Sequence, residues 1–205
     1  MRSAGVVLAA GGSRRMGEPK QLLPYQGRPL LQWVIESVCA SRLDEVVVVL
    51  GADATRIAGR LDIGRARVVI NEGYADGMST SLQLGVRSLA PEIERAVIIL
   101  GDQPDVDAPL LDRLLDVHEG SGLPAAAVEF EGLLHPPVVL ARSMWSDLDQ
   151  LQGDVGCRQI LRARPDEVAR LPSSRPRRHP VDIDTPEDFQ TLLADQSASG
   201  SSATP

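Results

Sequence analysis

The sequence predicts an α/β fold in which helices cover both faces of a mainly parallel central sheet. Four short, nearly continuous runs of Val, Ile and Leu are typical of strands buried on both faces; they occupy Ser3–Leu8, Glu45–Leu50, Ala66–Ile70 and Ala96–Leu100. Helical patterns separate the runs. Because strands and helices that alternate at this spacing form right-handed βαβ units, we expect a three-layer domain.

Three amphipathic helices are predicted between these strands, over Pro29–Ser41, Asp53–Arg60 and Ser79–Leu89. Asp53 is expected to cap its helix, since a carboxylate can accept hydrogen bonds from the first-turn N–H groups. After Asp102 the alternation loosens. The pattern there predicts a helix over Ala108–Glu119, strands over Ala125–Glu129 and Pro137–Ala141, and helices over Arg142–Leu151 and Gly156–Arg164.

The last predicted helix begins at Thr185 and runs to about Ala194. Thr185 suits the N-cap, Pro186 the first helical position and Asp188 the third, where an acidic side chain favours a helix start. The Ser/Ala/Gly-rich residues after 194 show no periodicity. We therefore expect one domain over residues 1–194 and a disordered tail over 195–205.

Composition excludes several classes of function. The 205 residues carry 21 basic and 28 acidic side chains, for a net charge of −7, and only 3% of them are aromatic. Nucleic-acid binding needs an excess of cations or aromatic stacking platforms, so no nucleic-acid partner is expected. No apolar run approaches the ~20 residues that cross a bilayer, so no membrane association is expected either.

Two further features bear on where the protein works. Arg2 and the apolar run Ala4–Ala10 imitate a signal peptide, but the run has the minimum length and a poor cleavage region follows it. Cys39 and Cys157 stand in unrelated contexts, as reduced thiols do. These observations predict a soluble cytoplasmic protein.

A glycine-rich loop follows the first predicted strand and leads to Lys20. Glycines allow the backbone to turn tightly and to bring N–H groups close to an anion. Of the 21 basic residues, 20 are Arg, and Lys20 is the single Lys. A compact ammonium group with rotatable donors suits a triphosphate better than a rigid guanidinium does. The alternative is a surface loop that carries an incidental Lys.

Two acidic positions are candidates for a metal site. Asp102 comes directly after the strand Ala96–Leu100, and ligands of open parallel sheets lie at the carboxyl ends of strands. Asp184 closes the segment Val181-Asp182-Ile183-Asp184. If this segment is the end of a strand, Asp182 and Asp184 project to the same face. Mg²⁺ is commonly held by one or two carboxylates together with phosphate oxygens. A turn-forming role for Asp102 and a helix-capping role for Asp184 are the alternatives.

The loop and the acidic positions resemble the signature of the MobA/MocA-like nucleotidyltransferases. The family pattern Leu-Ala-Ala-Gly-x-Ser-x-Arg-Met-Gly-x-x-Lys is matched at Leu8, Ala9, Ala10, Gly11, Ser13, Arg15, Met16, Gly17 and Lys20. The Gly-Asp-x-Pro position falls on Asp102, and the Asp-Thr-Pro-Glu-Asp block on Asp184 to Asp188. The resemblance implies a Rossmann-like three-layer fold of the nucleotide-diphospho-sugar transferase type.

The same resemblance implies roles for individual residues. The loop residues Leu8, Ala9, Ala10, Gly11, Gly12 and Ser13 would bind the nucleotide, with Lys20, Arg15 and Asp102 catalytic and Mg²⁺ held by Asp102 and Asp184. A second block is matched at Asn71, Gly77, Met78, Ser81 and Leu82, which implies nucleotide contacts by Asn71, Gly77 and Ser81. Capping explains Ser79 without a function.

A third block, Gly-Asp-x-Gly-x-Arg, is matched from Gly153 to Arg158 and implies an acceptor site with Asp154, Gly156 and Arg158. His135 joins that site where relatives have Gly-His-Pro, although Leu134 replaces the glycine. A structural role for His135 is the alternative. Cys157 is expected to be a packing residue, because nothing nearby would lower its pKa.

The predicted reaction is transfer of a nucleotide from a nucleoside triphosphate to a phosphorylated acceptor, with release of pyrophosphate. The resemblance favours CTP, through Ala10, and molybdopterin as the acceptor, with possible transient contact with a molybdoenzyme. Three alternatives stay open: guanylyl transfer, an oxidoreductase that uses a nicotinamide cofactor, and a molybdopterin-binding chaperone without activity. The absence of a dinucleotide fingerprint disfavours the oxidoreductase.

Overall fold

The computed structural model of the chain describes residues 1–13, 17–173, 185 and 187–191. Within these ranges the strands are β1 (Ser3–Ala9), β2 (Pro24–Tyr25), β3 (Arg28–Pro29), β4 (Glu45–Leu50), β5 (Arg67–Ile70), β6 (Arg95–Leu100), β7 (Ala125–Phe130), β8 (Leu133–Ala141) and β9 (Val168–Pro172). The helices are α1 (Leu30–Ala40), α2 (Ala54–Ala58), α3 (Met78–Arg87), α4 (Ala108–Ser121), α5 (Trp145–Leu148) and α6 (Arg158–Ala163).

Seven of these strands form one sheet in the order β5-β4-β1-β6-β8-β7-β9, and β2 and β3 form a short antiparallel pair. β8 is antiparallel to both of its neighbours, whereas the other adjacent strands of the large sheet run parallel. The mainly parallel sheet that the sequence predicts is therefore confirmed. One consequence is that β8 begins at the edge of the sheet where β6 ends.

Two apolar layers hold the helices on opposite faces of the sheet. Along β1, Val7 and Ala9 face the layer that contains α1, α2 and α4, while Val6 and Leu8 face the layer that contains α3, α5 and α6. Successive side chains of a strand point to opposite faces, so an uninterrupted apolar run serves both layers. The three-layer architecture follows directly from that pattern.

The structure differs from the predicted elements at several places. β9 was not predicted because Arg170 and Pro172 interrupt its apolar pattern; it lies at the edge of the sheet, where Pro is tolerated. The pair β2–β3 is also additional. The helix expected over Arg142–Leu151 is a 3-10 turn followed by the short α5. The expected tail, residues 195–205, and the domain boundary at 194 lie outside the described residues.

The prediction for Asp53 is correct in position, because Asp53 occupies the N-cap of α2, but wrong about the capping hydrogen bond. Asp53 precedes α2 in the left-handed region, with φ 53°, and its side chain makes no capping hydrogen bond. Asp tolerates that conformation better than most residues, and this accounts for its place here. The predicted start of the last helix is correct: Thr185 N–H donates to Asp188 Oδ2 at 2.8 Å, and Asp188 N–H donates to Thr185 Oγ1 at 3.2 Å.

The two cysteines, Cys39 and Cys157, are both free thiols, as expected. None of the helices in the described ranges has the length and apolar character that crossing a membrane requires.

A buried arginine joins the start of β6 to α4, at the opposite end of the strand from Asp102. The Arg95 guanidinium donates to Glu119 and lies 3.5 Å from His118 Nδ1. Burial, followed by the charge of Arg95, lowers the pKa of His118. The hydrogen bond from Arg95 lowers the pKa of the largely exposed Glu119. The folded protein therefore resists protonation of both side chains.

This cluster should make the protein less stable as the pH falls. Below about pH 6.5 the unfolded chain protonates His118 more readily than the folded chain does, and below about pH 4.5 the same holds for Glu119. The free energy of unfolding, measured with urea at pH 7, 5.5 and 4, should decrease in that order. In a His118→Gln variant the decrease between pH 7 and 5.5 should be smaller; an equal decrease would remove His118 from this explanation.

Candidate active site

The loop after β1 and the residue after β6 meet at one edge of the sheet. β1 and β6 pair in parallel, and Gly101 N–H extends the pairing by donating to Leu8 O at 2.9 Å. A Cβ atom at Gly101 would lie 2.7 Å from Ala9 Cβ, closer than real contacts allow. The absence of a side chain at Gly101 lets Asp102 lie directly beside the loop. Asp102 and the loop line a common cleft, as expected for residues that follow the carboxyl ends of parallel strands.

Lys20 forms an ion pair with Asp102. Lys20 Nζ lies 2.5 Å from Asp102 Oδ2, and the two side chains are only 18% and 11% exposed. Lys20 begins a 3-10 turn, Lys20–Leu22, and its N–H donates to Ser13 Oγ at 2.9 Å. The loop thus fixes the backbone of Lys20 while the ammonium group crosses to a carboxylate 82 residues away. Burial from solvent strengthens such a pair relative to one in water.

The side chain of Gln21 fixes the glycine loop through hydrogen bonds, a role that no motif in the sequence indicates. Its side chain is 2% exposed, and Nε2 donates to Ala9 O at 2.8 Å and to Gly11 O at 3.0 Å. These two bonds hold the carbonyl groups on either side of Ala10. The only sequence signal for this role is that Gln21 is adjacent to Lys20.

A polar cluster fixes the start of α3. Asn71 Nδ2 donates to Thr80 Oγ1 and to Ser81 Oγ, both at 2.8 Å, and Asn71 Oδ1 accepts from Gly73 N–H at 3.0 Å. The buried Asn71 amide is therefore used inside the protein, and its side chain does not line the cleft beside Asp102. These bonds give Asn71 a positioning role for α3, and its contact with the nucleotide stays a prediction.

The capping role considered for Ser79 is wrong. Gly77 occupies the N-cap of α3 with no side-chain hydrogen bond, whereas Ser79 is buried within the helix. Ser79 N–H donates to Gly153 O at 3.1 Å, so the orphan donors of the helix start are satisfied partly by another loop.

The loop of residues 153–157 packs against Gly77. Gly77 has φ 109°, in the region that favours glycine, and a Cβ atom there would lie 2.2 Å from the carbonyl carbon of Gly153. Gly156 lies beside Met78, since a Cβ atom on it would be 3.0 Å from the Met78 sulfur. Two blocks that are 76 residues apart in sequence therefore form one wall.

Gly77→Ala should displace this wall. The clash and the backbone conformation together should lower the free energy of unfolding by about 1–3 kcal/mol and weaken nucleotide binding. Gly120→Ala is the matched control, because Gly120 lies in α4 and its Cβ atom would contact nothing within 4 Å. That control should raise the stability by about 0.5–1 kcal/mol. Urea unfolding measures both, and a Gly77→Ala protein as stable as wild type would contradict the packing argument.

A cleft of about 160 Å³ runs between these parts. It brings together nine of the predicted site residues: Leu8, Ala9, Ala10, Gly11, Lys20, Gly77, Ser81, Asp102 and Asp154. Gly12 and Ser13 belong to the same loop without lining the cleft, and Asn71, His135, Gly156 and Arg158 also stand outside its lining. Arg15, Asp182 and Asp184 lie outside the described residues.

His135 and Arg158 meet beyond the loop 153–157. His135 is buried on β8, and Arg158 Nη2 lies 3.3 Å from His135 Nδ1. Arg158 starts α6 and lines a second cavity, which is separate from the Asp102 cleft. Cys157, which precedes Arg158 in the chain, is buried, and burial raises the pKa of its thiol to about 12. Cys157 is therefore a packing residue and no nucleophile, as expected.

Asp102 has the chemistry of a ligand for a hard divalent cation. Within the described ranges no group of three or more His, Cys, Asp or Glu side chains could hold a metal ion by itself. Mg²⁺, however, is commonly bound by one or two carboxylates plus waters and the phosphates of a substrate. A carboxylate that faces a phosphate-sized cleft beside a glycine loop fits that mode of binding.

The C-terminal helical residues 187–191 dock against residues that follow Lys20 in the chain. Phe189 is buried in a cluster with Leu23, Tyr25 and Leu30, the first of which is three residues beyond Lys20. Thr185, which directly follows Asp184 in the chain, caps this helix. Phe189 thus anchors residues 187–191 beside the segment that follows Lys20.

Comparison with known proteins identifies relatives over most of the chain. Residues 5–168 match the model of the MobA-like NTP transferase domain. Nicotine blue oxidoreductase of Paenarthrobacter nicotinovorans is 33% identical over 92% of this chain and 95% of its own length. The purine catabolism protein PucB of Bacillus subtilis is 30% identical over 92% of this chain and 94% of its own.

Solved structures agree with these matches. Rv0371c of Mycobacterium tuberculosis superposes with a TM-score of 0.84 and 30% identity, over 94% of this chain and 98% of that one. A second structure of Rv0371c, a complex with manganese, superposes with a TM-score of 0.82 and 28% identity, over 95% and 99% of the two chains.

Proposed function

The chain belongs to the MobA-like NTP transferase domain family, and we propose that it transfers CMP from CTP to a phosphorylated acceptor, releasing pyrophosphate. The observation that carries this proposal is the Lys20–Asp102 pair in a cleft lined by the glycine loop. An ammonium group and a carboxylate lie together at one edge of a parallel sheet, where ligands bind. The ammonium group can neutralise the phosphates of a triphosphate, and the carboxylate can bind the metal ion that accompanies it.

The chemistry proposed needs no covalent enzyme intermediate. An oxygen of the acceptor phosphate attacks the α-phosphorus of the triphosphate, the bond from that phosphorus to the bridging oxygen breaks, and pyrophosphate leaves. The acceptor is already anionic, so no side chain has to remove a proton from it. The protein contributes by positioning the two anions and by neutralising the charge that develops on the leaving group.

Each group in the cleft has a distinct part in this reaction. Lys20 would turn from Asp102 to the phosphates, and the backbone N–H groups of the glycine loop would line the polyphosphate. Mg²⁺ held at Asp102 would supply charge neutralisation between the phosphate groups. Arg15 as a second cation and Asp184 as a second metal ligand are proposed from the family motif. The docking of Phe189 beside Leu23 supports the proposal for Asp184.

The proposals for the nucleotide specificity and for the acceptor rest on a few residues of the family motifs. Ala10, at a position where guanine-selecting relatives tend to have Gly, favours cytosine, and Gly77 and Ser81 line the cleft near it. The acceptor site would use Asp154, Gly156, Arg158 and His135, with molybdopterin as the acceptor suggested by the family. We propose a cytoplasmic location and transient contact with a molybdoenzyme that receives the product.

The experiment that tests this proposal combines each of the four NTPs with molybdopterin or with simpler phosphorylated acceptors and measures pyrophosphate. We expect release with CTP and Mg²⁺, dependent on the acceptor. Preference for GTP would convert the proposal to guanylyl transfer. Absence of pyrophosphate with every pair, while molybdopterin still binds, would establish a chaperone instead.

An oxidoreductase is the second candidate, because the relative from P. nicotinovorans is named as one. The structure provides a physical argument against it. Dinucleotide binding uses a helix that starts directly after the glycine loop, whereas here the loop after β1 leads to a 3-10 turn and α1 starts only at Leu30. Calorimetric titration with CTP, GTP and NADPH separates the candidates: binding of NADPH without binding of any NTP would overturn nucleotidyl transfer.

A further inference from the structure

A second cavity, of about 230 Å³, has three arginine side chains in its lining. Arg158 and Arg162 come from α6 and Arg170 from β9, and the apolar part of the lining includes Leu134, Leu161 and Pro165. None of the motifs in the sequence includes Arg162 or Arg170. We call this space the arginine cavity.

The arginine cavity lies next to the Asp102 cleft. Asp154 lines the cleft and Arg158 lines the arginine cavity, so the loop 153–157 separates the two spaces. Four residues of chain span at most ~14 Å. β8 is antiparallel to β6, which places Leu134, near the start of β8, at the edge of the sheet where Asp102 follows β6. The linings of the two spaces therefore approach each other to within a distance that one extended molecule can span.

The arginine cavity is locally cationic in a chain whose net charge is −7. Arg170 pairs with Glu129 at 2.7 Å, while Arg158 contacts the imidazole of His135. Among the described residues no acidic side chain forms an ion pair with Arg158 or Arg162, so the positive charges exceed the negative ones. Guanidinium groups bind carboxylate, phosphate and similar anions through paired N–H donors.

We propose that the arginine cavity binds the distal end of the acceptor, and that this end is an apolar or planar body carrying a second negative charge. The inference rests on the proposed nucleotidyl transfer, whose acceptor would enter beside loop 153–157. Leu134, Leu161 and Pro165 offer no side-chain hydrogen bonds, so they suit a ring system and leave the hydroxyl groups of a sugar unsatisfied. The inference therefore predicts that an acceptor with a ring and a second anionic group is preferred to a simple sugar phosphate.

The test uses naphthalene-1-sulfonate, which combines an apolar ring with one anionic group, and measures its binding by calorimetry. Inorganic sulfate and 1-naphthalenemethanol supply the anion and the ring separately, and both should bind more weakly. Arg162→Gln should weaken binding of the sulfonate about tenfold, because charge-assisted hydrogen bonds are lost. Arg56→Gln is the matched control, since Arg56 is likewise an exposed Arg in the last turn of a short helix.

The outcomes separate this inference from the proposed function. Equal binding by wild type, Arg162→Gln and Arg56→Gln, or no binding by wild type, would overturn the arginine cavity as a ligand site, whatever the activity. Binding that depends on Arg162, together with a failure to release pyrophosphate, would retain the site and refute nucleotidyl transfer. Where an acceptor is active, Arg162→Gln should raise its KM and leave kcat and the KM for CTP unchanged; an unchanged acceptor KM would refute the assignment of the cavity to the acceptor.

Discussion

Asp102→Asn is expected to lower metal-dependent turnover at least about a hundredfold, since the side chain loses the negative charge that holds the cation. The amide keeps the size of the carboxylate, and Asp102 lies just beyond the end of β6, so the surrounding backbone should change little. Pyrophosphate release at saturating CTP and acceptor, with Mg²⁺ titrated, measures the loss. The affinity for Mn²⁺, followed by electron paramagnetic resonance, should fall with it.

Asp105→Asn is the control for this prediction. Asp105 is three residues further along the same loop, outside the lining of the Asp102 cleft, so its variant should keep both turnover and Mn²⁺ affinity. A thermal melt of each protein confirms folding. Wild-type turnover by Asp102→Asn would remove Asp102 from the metal site and leave it with the turn-forming role considered from the sequence.

Lys20→Ala should also lower turnover at least about a hundredfold, because the polyphosphate loses its nearest ammonium group. Its effect on the metal should be the opposite of that of Asp102→Asn. In the absence of nucleotide the Lys20 ammonium occupies Asp102 Oδ2 at 2.5 Å, and a cation must displace it. Without Lys20, Mn²⁺ should therefore bind more tightly to the free protein, even though catalysis is lost.

Lys20→Arg is the informative companion variant. It keeps the positive charge but replaces a compact ammonium with a rigid fork, so turnover should stay well below wild type while Mn²⁺ affinity remains close to it. Weaker Mn²⁺ binding by Lys20→Ala would mean that Lys20 supports the metal site and does not compete with it. Full activity of Lys20→Ala would refute the role of Lys20 in the reaction.

The sequence predicted that the glycine loop and Asp102 lie together, because the topology of parallel sheets follows a simple rule. Residues that follow neighbouring parallel strands meet at one edge of the sheet, so the strand pattern alone placed the loop after β1 together with Asp102 after β6. The ion pair itself was not predictable, since it depends on where the 3-10 turn at Lys20 aims one flexible side chain. The role of Gln21 depends likewise on two carbonyl groups that the fold brings close to it.

Residues that the same motif predicts to be in the site differ in whether they line the cleft. Asn71 and Ser81 belong to one motif, yet Ser81 lines the cleft while Asn71 directs its amide into the protein. His135 and Arg158 contact each other at a second cavity, whose third arginine comes from an unpredicted edge strand. A motif fixes which residues are present, but not which way each side chain faces.

The amino-acid sequence by itself determined the layered α/β architecture, the glycine loop after β1 and the position of Asp102 after β6. The spacing of hydrophobic residues and the positions of glycines are local properties, so they can be interpreted without knowing how distant parts of the chain pack. Only the tertiary structure decided that Lys20 forms an ion pair with Asp102 and that loop 153–157 packs closely against Gly77. The tertiary structure also decided that three arginines line one cavity. Those contacts join residues far apart in the chain, and the packing of whole elements sets their distances.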